Sequence, residues 1–243
     1  MQNQLNNIIL AIGIALAGLL IGLGFIKSKT ADNFVKVKGV SEREVKANIA
    51  FWPLRFVATD DNLNVCQRKI NESKNKILAF LKKYGIEESQ TELQSLEVTD
   101  ILANAYRNGP TDNRYIINQT IMVRSENPEL IQNASQKVSD LVEVGVILSS
   151  SGGYGYYGGM APTFLFTELN DLKPEMIAEA TANARNAAEK FALDSGSQVG
   201  GIRRANQGVF VILPRDRAPG IMQENQLYKI VRVVSTIDYY LEN

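Results

Sequence analysis

Ser73-Lys74-Asn75-Lys76 matches Ser-x-x-Lys, the spacing at which a lysine amine takes the proton of a serine nucleophile in penicillin-recognising enzymes. The companion Ser-Asp-Asn and Lys-Thr-Gly are missing. On a helix, Ser73 falls in the apolar stripe while Lys74 and Lys76 point outward, so the match reads as chance. Gly153, Gly155 and Gly158 form a Gly-x-Gly-x-x-Gly, the pattern that brings backbone N–H groups to a phosphate. That chemistry also needs a helix N-terminus directly behind the glycines, and this run passes through Ala161 and Pro162 into a strand pattern. Phosphate binding is therefore not expected. The whole stretch, SSSGGYGYYGGM at 149–160, reads as a flexible or intersubunit loop, with Tyr154, Tyr156 and Tyr157 as its contact residues.

The remaining candidates thin out quickly. Asp60-Asp61 and Glu87-Glu88 fall at a helix cap and in a turn, where solvated structural roles are the default. Asp61-Asn62-Leu63-Asn64 is too sparse in oxygen ligands for calcium. The chain contains no histidine, which removes the commonest general base and metal ligand along with every Ser-His-Asp and Cys-His scheme. No catalytic, cofactor-binding or metal-ligating residue is assigned, and no cofactor. The single cysteine, Cys66, forbids an intrachain disulfide and sits on an apolar helix face as a core residue. Lys plus Arg and Asp plus Glu both total 26, a balance with no field to attract nucleic acid.

Ile8 to Ile26 are nineteen residues without a charge or strongly polar side chain, about 28 Å as a helix at roughly 1.5 Å per residue. The seven residues before it hold neither Lys nor Arg, unlike the basic start of a signal peptide. The expectation is an uncleaved anchor in residues 1–33, with the bilayer as partner of residues 8–26 and a single folded domain over 34–243. Gly18 and Gly22 stand four apart, a spacing at which two such helices approach closely. Lys27 and Lys29 vote for a cytoplasmic body by the positive-inside tendency.

The elements beyond the anchor are interleaved. Residues 34–58 read as a strand pair turning through Ser41 to Arg43, with Trp52, Leu54 and Phe56 on one face and Pro53 marking an edge or bulge. A helix capped by Asp60 or Asp61 runs to Tyr84 and stops at Gly85, with Leu63, Cys66, Ile70, Ser73, Ile77, Leu81 and Tyr84 as its stripe. Extended runs at 91–106 and 114–125 follow, joined by the turn formers of RNGPTDNR. A second helix, capped by Asn127, runs to Gly145 and buries Leu130, Ala134, Val138, Leu141 and Val142. After a short strand at 163–166, a third helix from about Leu172 to Ser195 carries an alanine-rich face, and strands at 199–213 and 227–241 close the chain. The predicted class is α+β, with antiparallel sheets, three interleaved helices and one preceding transmembrane helix.

Three stretches carry a resemblance: VKVKGVSEREVKANIAFWPLRF at 35–56, the segment from Glu168 to Phe210 around NARNAAEKFALDSGSQVGG, and YKIVRVVSTIDYYL at 228–241. They resemble the SIMPL-domain family, related to a bacterial periplasmic and outer-membrane immunogen. The resemblance implies an exported envelope protein that builds large ring-like or channel-like homo-oligomers and is loosely linked to oxidative or envelope stress. It supplies no catalytic residue. The expected function is a non-enzymatic, membrane-anchored assembly subunit at the bacterial inner membrane, its body in the periplasm, its partner a further copy of itself. Nucleic acid is not an expected partner, and no small-molecule ligand is assigned. The alternatives are an envelope hydrolase or cofactor-dependent enzyme, and a chaperone-like or ligand-binding module. For location they are a cytoplasm-facing body or a cleaved leader with a soluble periplasmic body.

Overall fold

A computed structural model describes residues 2–30, 33–103, 112–149 and 161–242, with side chains of the first segment described from 10 to 25. Helix α1 (Gln2–Thr30) leads into strands β1 (Phe34–Lys46) and β2 (Ile49–Asp60) and helix α2 (Leu63–Lys83). Strands β3 (Thr91–Asp100) and β4 (Tyr115–Ser125) precede helices α3 (Pro128–Ser135) and α4 (Ser139–Glu143). Short strands β5 (Ile147–Leu148) and β6 (Thr163–Leu165) lead to helix α5 (Leu169–Asp194), then β7 (Gln198–Gln207), β8 (Val211–Pro214) and β9 (Tyr228–Glu242). The class is α+β: one sheet has the order β1-β9-β7 with β8 also on β9, and the other β3-β4-β2-β5 with β6 also on β2. Every register of the second sheet is antiparallel, as is that of β7 with β9.

The chain divides into two compact units interleaved in sequence: one of residues 1–42, 172–211 and 232–243, the other of 43–171 and 212–231. In the second unit, period-two alternation turns Trp52, Leu54 and Phe56 of β2 inward, where they share a core with Cys66, Ile70, Ile77 and Leu81 of α2. In the first unit the helix side of the core is made of small residues, which pack against Val37, Ile237 and Tyr239. Helix α5 buries Met176, Ala180, Ala184, Ala188 and Ala192, a run at every fourth position. Opposite them lies Gly39 of β1, where a Cβ would overlap the Ala180 carbonyl oxygen and the Ala184 amide nitrogen. Only glycine lets the strand approach the helix backbone so closely.

Several sequence expectations are corrected. Residues 34–58 are not a hairpin: β1 runs straight through Ser41 to Arg43, which belong to the strand, and joins β9, while β2 joins β4. The break falls at Ala47 and Asn48, whose N–H groups donate to the Leu227 and Leu165 carbonyls, and the Asn48 side-chain Nδ2 donates to Thr167 Oγ1 at 2.8 Å. That corner sends the two strands into different sheets. The cap of α2 is Asn62, whose Oδ1 accepts from the Asn64 and Val65 amides, while Asp60 and Asp61 accept from the Asn62 and Arg114 amides. The expected second helix is two helices. Between them Lys137, Val138, Asp140 and Leu141 donate to carbonyls three residues back instead of four, which tightens the turn and ends α3. Beyond the break Val142 is exposed, and within α3 Ile131 is buried beside Ala134. Asn127 makes no side-chain cap bond; its N–H donates to Ser125 Oγ.

Pro53 sits in β2 with an unbroken register to β4, but in the interval 52–55 where neither β5 nor β6 pairs. A residue without an N–H is tolerated beside such a gap. Among the described residues, no helix is long and apolar enough to cross a membrane.

Candidate functional site

The alternation that sends Trp52 and Leu54 inward turns Phe51 and Pro53 to the opposite face of the second sheet. Antiparallel register sets Arg124 beside Phe51 and Met122 beside Pro53, and Glu92 of β3 beside Met122. These side chains share one surface and shape an open groove of about 710 Å³. Phe51, Pro53 and Met122 supply its apolar part, with Glu92, Arg124 and Glu126 as its charges.

The end of the groove is held by a short network. Residues Glu88–Gln90 form a 3-10 turn closed by a capping box, in which the Glu87 amide donates to Gln90 Oε1 at 2.9 Å. The Gln90 side-chain Nε2 then donates to Ser125 Oγ at 3.0 Å, tying the turn to β4. Arg124 Nη1 lies 3.3 Å from Glu126 Oε1, an exposed pair of modest strength. Among the described residues, the lining includes no lysine, cysteine or tyrosine, and the Thr91 hydroxyl is committed to the Glu88 carbonyl at 2.7 Å. The arrangement suits contact with an apolar or amphipathic group.

The sequence candidates lie elsewhere. Gly18 and Gly22 are on α1, where a Cβ at either would meet nothing within 4 Å among the described residues. Tyr154, Tyr156 and Tyr157 lie outside the described residues. The flanks of their segment are described: the Ser149 amide donates to the Arg55 carbonyl at 2.9 Å, and Ala161 lines the groove. Ser73 and Lys76 are each engaged with a carbonyl. The Ser73 hydroxyl donates to Lys69 O at 3.0 Å and the Lys76 ammonium to Val144 O at 2.8 Å.

Cys66 is fully buried, its thiol donating to the Ala58 carbonyl at 3.3 Å, and burial pushes its pKa up, away from thiolate reactivity. Asp60 is held below the usual carboxylate range chiefly by the Lys69 ammonium at 2.7 Å, and Asp100 by the two-pronged contact of Arg114. Both are exposed structural pairs. Among the described residues, no group of three or more Cys, Asp or Glu side chains stands close enough to hold a metal ion.

Sequence reasoning missed the groove and one buried cation. Phe51 and Pro53 carried a signal, since the residues between inward-facing ones must face outward. Lys229 carried none. Only 1% exposed, its ammonium donates to the Gln223 and Gln226 carbonyls, and burial lowers its pKa despite the nearby Glu224 carboxylate.

These features define the class: an α+β protein of two sheets, with an open groove on one. Residues 35–227 match the family described as SIMPL, protein of unknown function (DUF541), and the chain belongs to that family. No curated protein matches the chain.

Proposed function

We propose that this chain is a membrane-anchored, non-enzymatic subunit of a homo-oligomer in the bacterial envelope. In this reading α1 is the anchor at the inner membrane and the body lies in the periplasm. The observation that carries it is the surface of α1. The nine large apolar side chains between Leu10 and Phe25 are each 55–73% exposed, and every residue from 10 to 25 is exposed. A helix apolar all round is stable only where its surroundings are apolar too. The uninterrupted run from Ile8 to Ile26 has a bilayer's length. Close approach of two anchors at Gly18 and Gly22 fits assembly. The periplasmic side, the ring-like or channel-like assembly and the link to envelope stress rest on what the SIMPL resemblance implies. The non-enzymatic reading rests on the missing histidine and on Ser73 and Lys76, each engaged with a carbonyl.

Alkaline extraction of membranes tests the anchor, and light scattering of the full-length chain in detergent tests the assembly. The expected results are retention in the membrane pellet, loss of that retention on deleting residues 1–33, and a mass many times that of one chain. A full-length protein released by alkali, or a single chain in detergent, overturns the reading.

The groove at Phe51, Pro53 and Met122 favours a second reading, a ligand-binding module for apolar segments or small amphipathic molecules. Native mass spectrometry that finds a retained molecule, lost on Met122→Asp, supports it.

A further inference from the structure

Strand β1 begins four residues after α1 ends, so Phe34 lies within about 14 Å of Thr30 at no more than roughly 3.6 Å per residue. On β1, Val35, Val37 and Gly39 face α5, which turns Phe34, Lys36 and Lys38 to the open side of the first sheet. Two contacts fix how β9 runs beside β1: the Leu241 amide donates to the Asn33 carbonyl at 2.9 Å, and Lys36 Nζ lies 3.8 Å from Asp238 Oδ1. Tyr240 therefore stands beside Phe34 on the open side, and on β7 the register sets Arg204 opposite Asp238. Arg203 reaches the same side, its guanidinium carbon 4.2 Å from the centre of the Phe34 ring.

The charges at this end of the sheet do not balance. Lys36, Lys38, Arg203 and Arg204 are exposed, whereas Asp238 is only 6% exposed and stands between Lys36 and Arg204. A single carboxylate cannot neutralise both of those neighbours. Among the described residues, the other carboxylate at this end of the open side is Glu242, near the end of β9. Farther along the same side the charges pair off, with Arg232 Nε 3.4 Å from Glu42 Oε1. The excess of cations thus sits at the end joined to α1. The aromatic pair Phe34 and Tyr240, 39 and 37% exposed, supplies apolar surface in the same place. Rings and uncompensated cations directly behind an apolar helix complement a lipid surface. Amphipathic rings settle at headgroup depth there, and Lys and Arg are drawn to anionic phosphate.

We propose that this patch of β1, β9 and β7 docks on the anionic headgroups of the membrane that holds α1, which rests on the anchor reading above and adds to it a lipid class. Arg203 and Arg204 engage lipid phosphates with their forked N–H groups, and Lys36 and Lys38 act as point charges beside them. Phe34 and Tyr240 enter the headgroup layer.

The test is the full-length chain reconstituted in vesicles of phosphatidylcholine alone or of an equal mixture of phosphatidylcholine and phosphatidylglycerol. Flotation after an alkaline wash reports the anchor. Lysine acylation, read by peptide mass spectrometry, reports the patch, with Lys46 outside it as the reference. Relative to Lys46, Lys36 and Lys38 are expected to label about threefold or more slowly in the anionic vesicles than in phosphatidylcholine. That difference should vanish in about 1 M salt, where the screening length is about 3 Å. Arg203→Gln with Arg204→Gln should shrink the protection, and Arg203→Lys with Arg204→Lys should retain it. A chain that washes off the vesicles sinks the anchor reading. A retained chain whose Lys36 and Lys38 label alike in both vesicles sinks this patch alone. Slow labelling in both vesicles does the same and assigns the face to a second copy. Protection that survives high salt, or is unchanged in the glutamine variant, also overturns it.

Discussion

In the second unit, Trp52, Leu54 and Phe56 of β2 meet Ile70, Ile77 and Leu81 of α2. In the first, Gly39 of β1 meets the alanines of α5. Both interfaces cover a sheet with a helix, but one fills the space with side-chain volume and the other removes the space. The energetic consequences differ. A volume-filled core loses transfer energy and gains a cavity when a large residue is cut back. The contact of Gly39 with α5, made by backbone approach, has little volume to lose and fails instead when volume is added. The lesson is that two contacts of a helix with a sheet can carry opposite sensitivities to mutation.

The strongest challenge to this contrast is Trp52→Ala, which removes a fully buried ring packed edge-on against Phe80 at 6.5 Å. The expected loss is about 4 kcal/mol, read by urea denaturation with circular dichroism because Trp52 is the chain's one tryptophan. A loss below about 1 kcal/mol would mean that this core collapses around the gap. Next comes Gly39→Ala, one methyl, expected to cost about 3 kcal/mol because the obstacle is helix backbone and not a flexible side chain. Stability equal to wild type would remove close approach as the basis of the α5 contact.

A smaller effect sharpens the comparison through the two buried charges of β9. Asp238, in the first unit, has the Lys36 ammonium at 3.8 Å, whereas Lys229, in the second, has backbone carbonyls as its hydrogen-bond acceptors. The Lys229 pKa is lowered on folding, so between its folded value and 10.5 the unfolded chain binds the extra proton. Stability from this group therefore rises with pH across that window, and below the folded value its cost is constant. Denaturation of wild type and Lys229→Met from pH 8 upward should show that rise as a difference between them, absent in the variant. The smallest effect is an expected lack of reaction. Cys66 should resist a thiol reagent in the native protein, react on Trp52→Ala, and stay masked on Gly39→Ala, since it belongs to the volume-filled core. Equal labelling in both variants would merge the two cores into one cooperative block.

The groove shows how far local pattern carries a site. Alternation alone puts Phe51 and Pro53 outside, but Met122, Glu92 and Arg124 join them only through strand pairing across about seventy residues of chain. The Ser73 and Lys76 spacing had the opposite fate. It looked like chemistry in the sequence, and the fold gave each side chain a carbonyl of its own.

What the sequence determined by itself is what short-range sterics and periodicity encode. The inward row of β2, most of the α2 stripe and the alanine face of α5 follow from side-chain spacing. The helix stops at Gly85, Gly145 and Gly196, all at positive φ, follow from the one residue that adopts that conformation without strain. Tertiary structure alone decided that β1 and β2 part company at Ala47, that Lys229 is buried among carbonyls, and that β3 and β7 are left as edges. Those outcomes depend on which distant strands pair. Pairing energy is nearly indifferent to local residue spacing and is settled by the packing of the whole sheet.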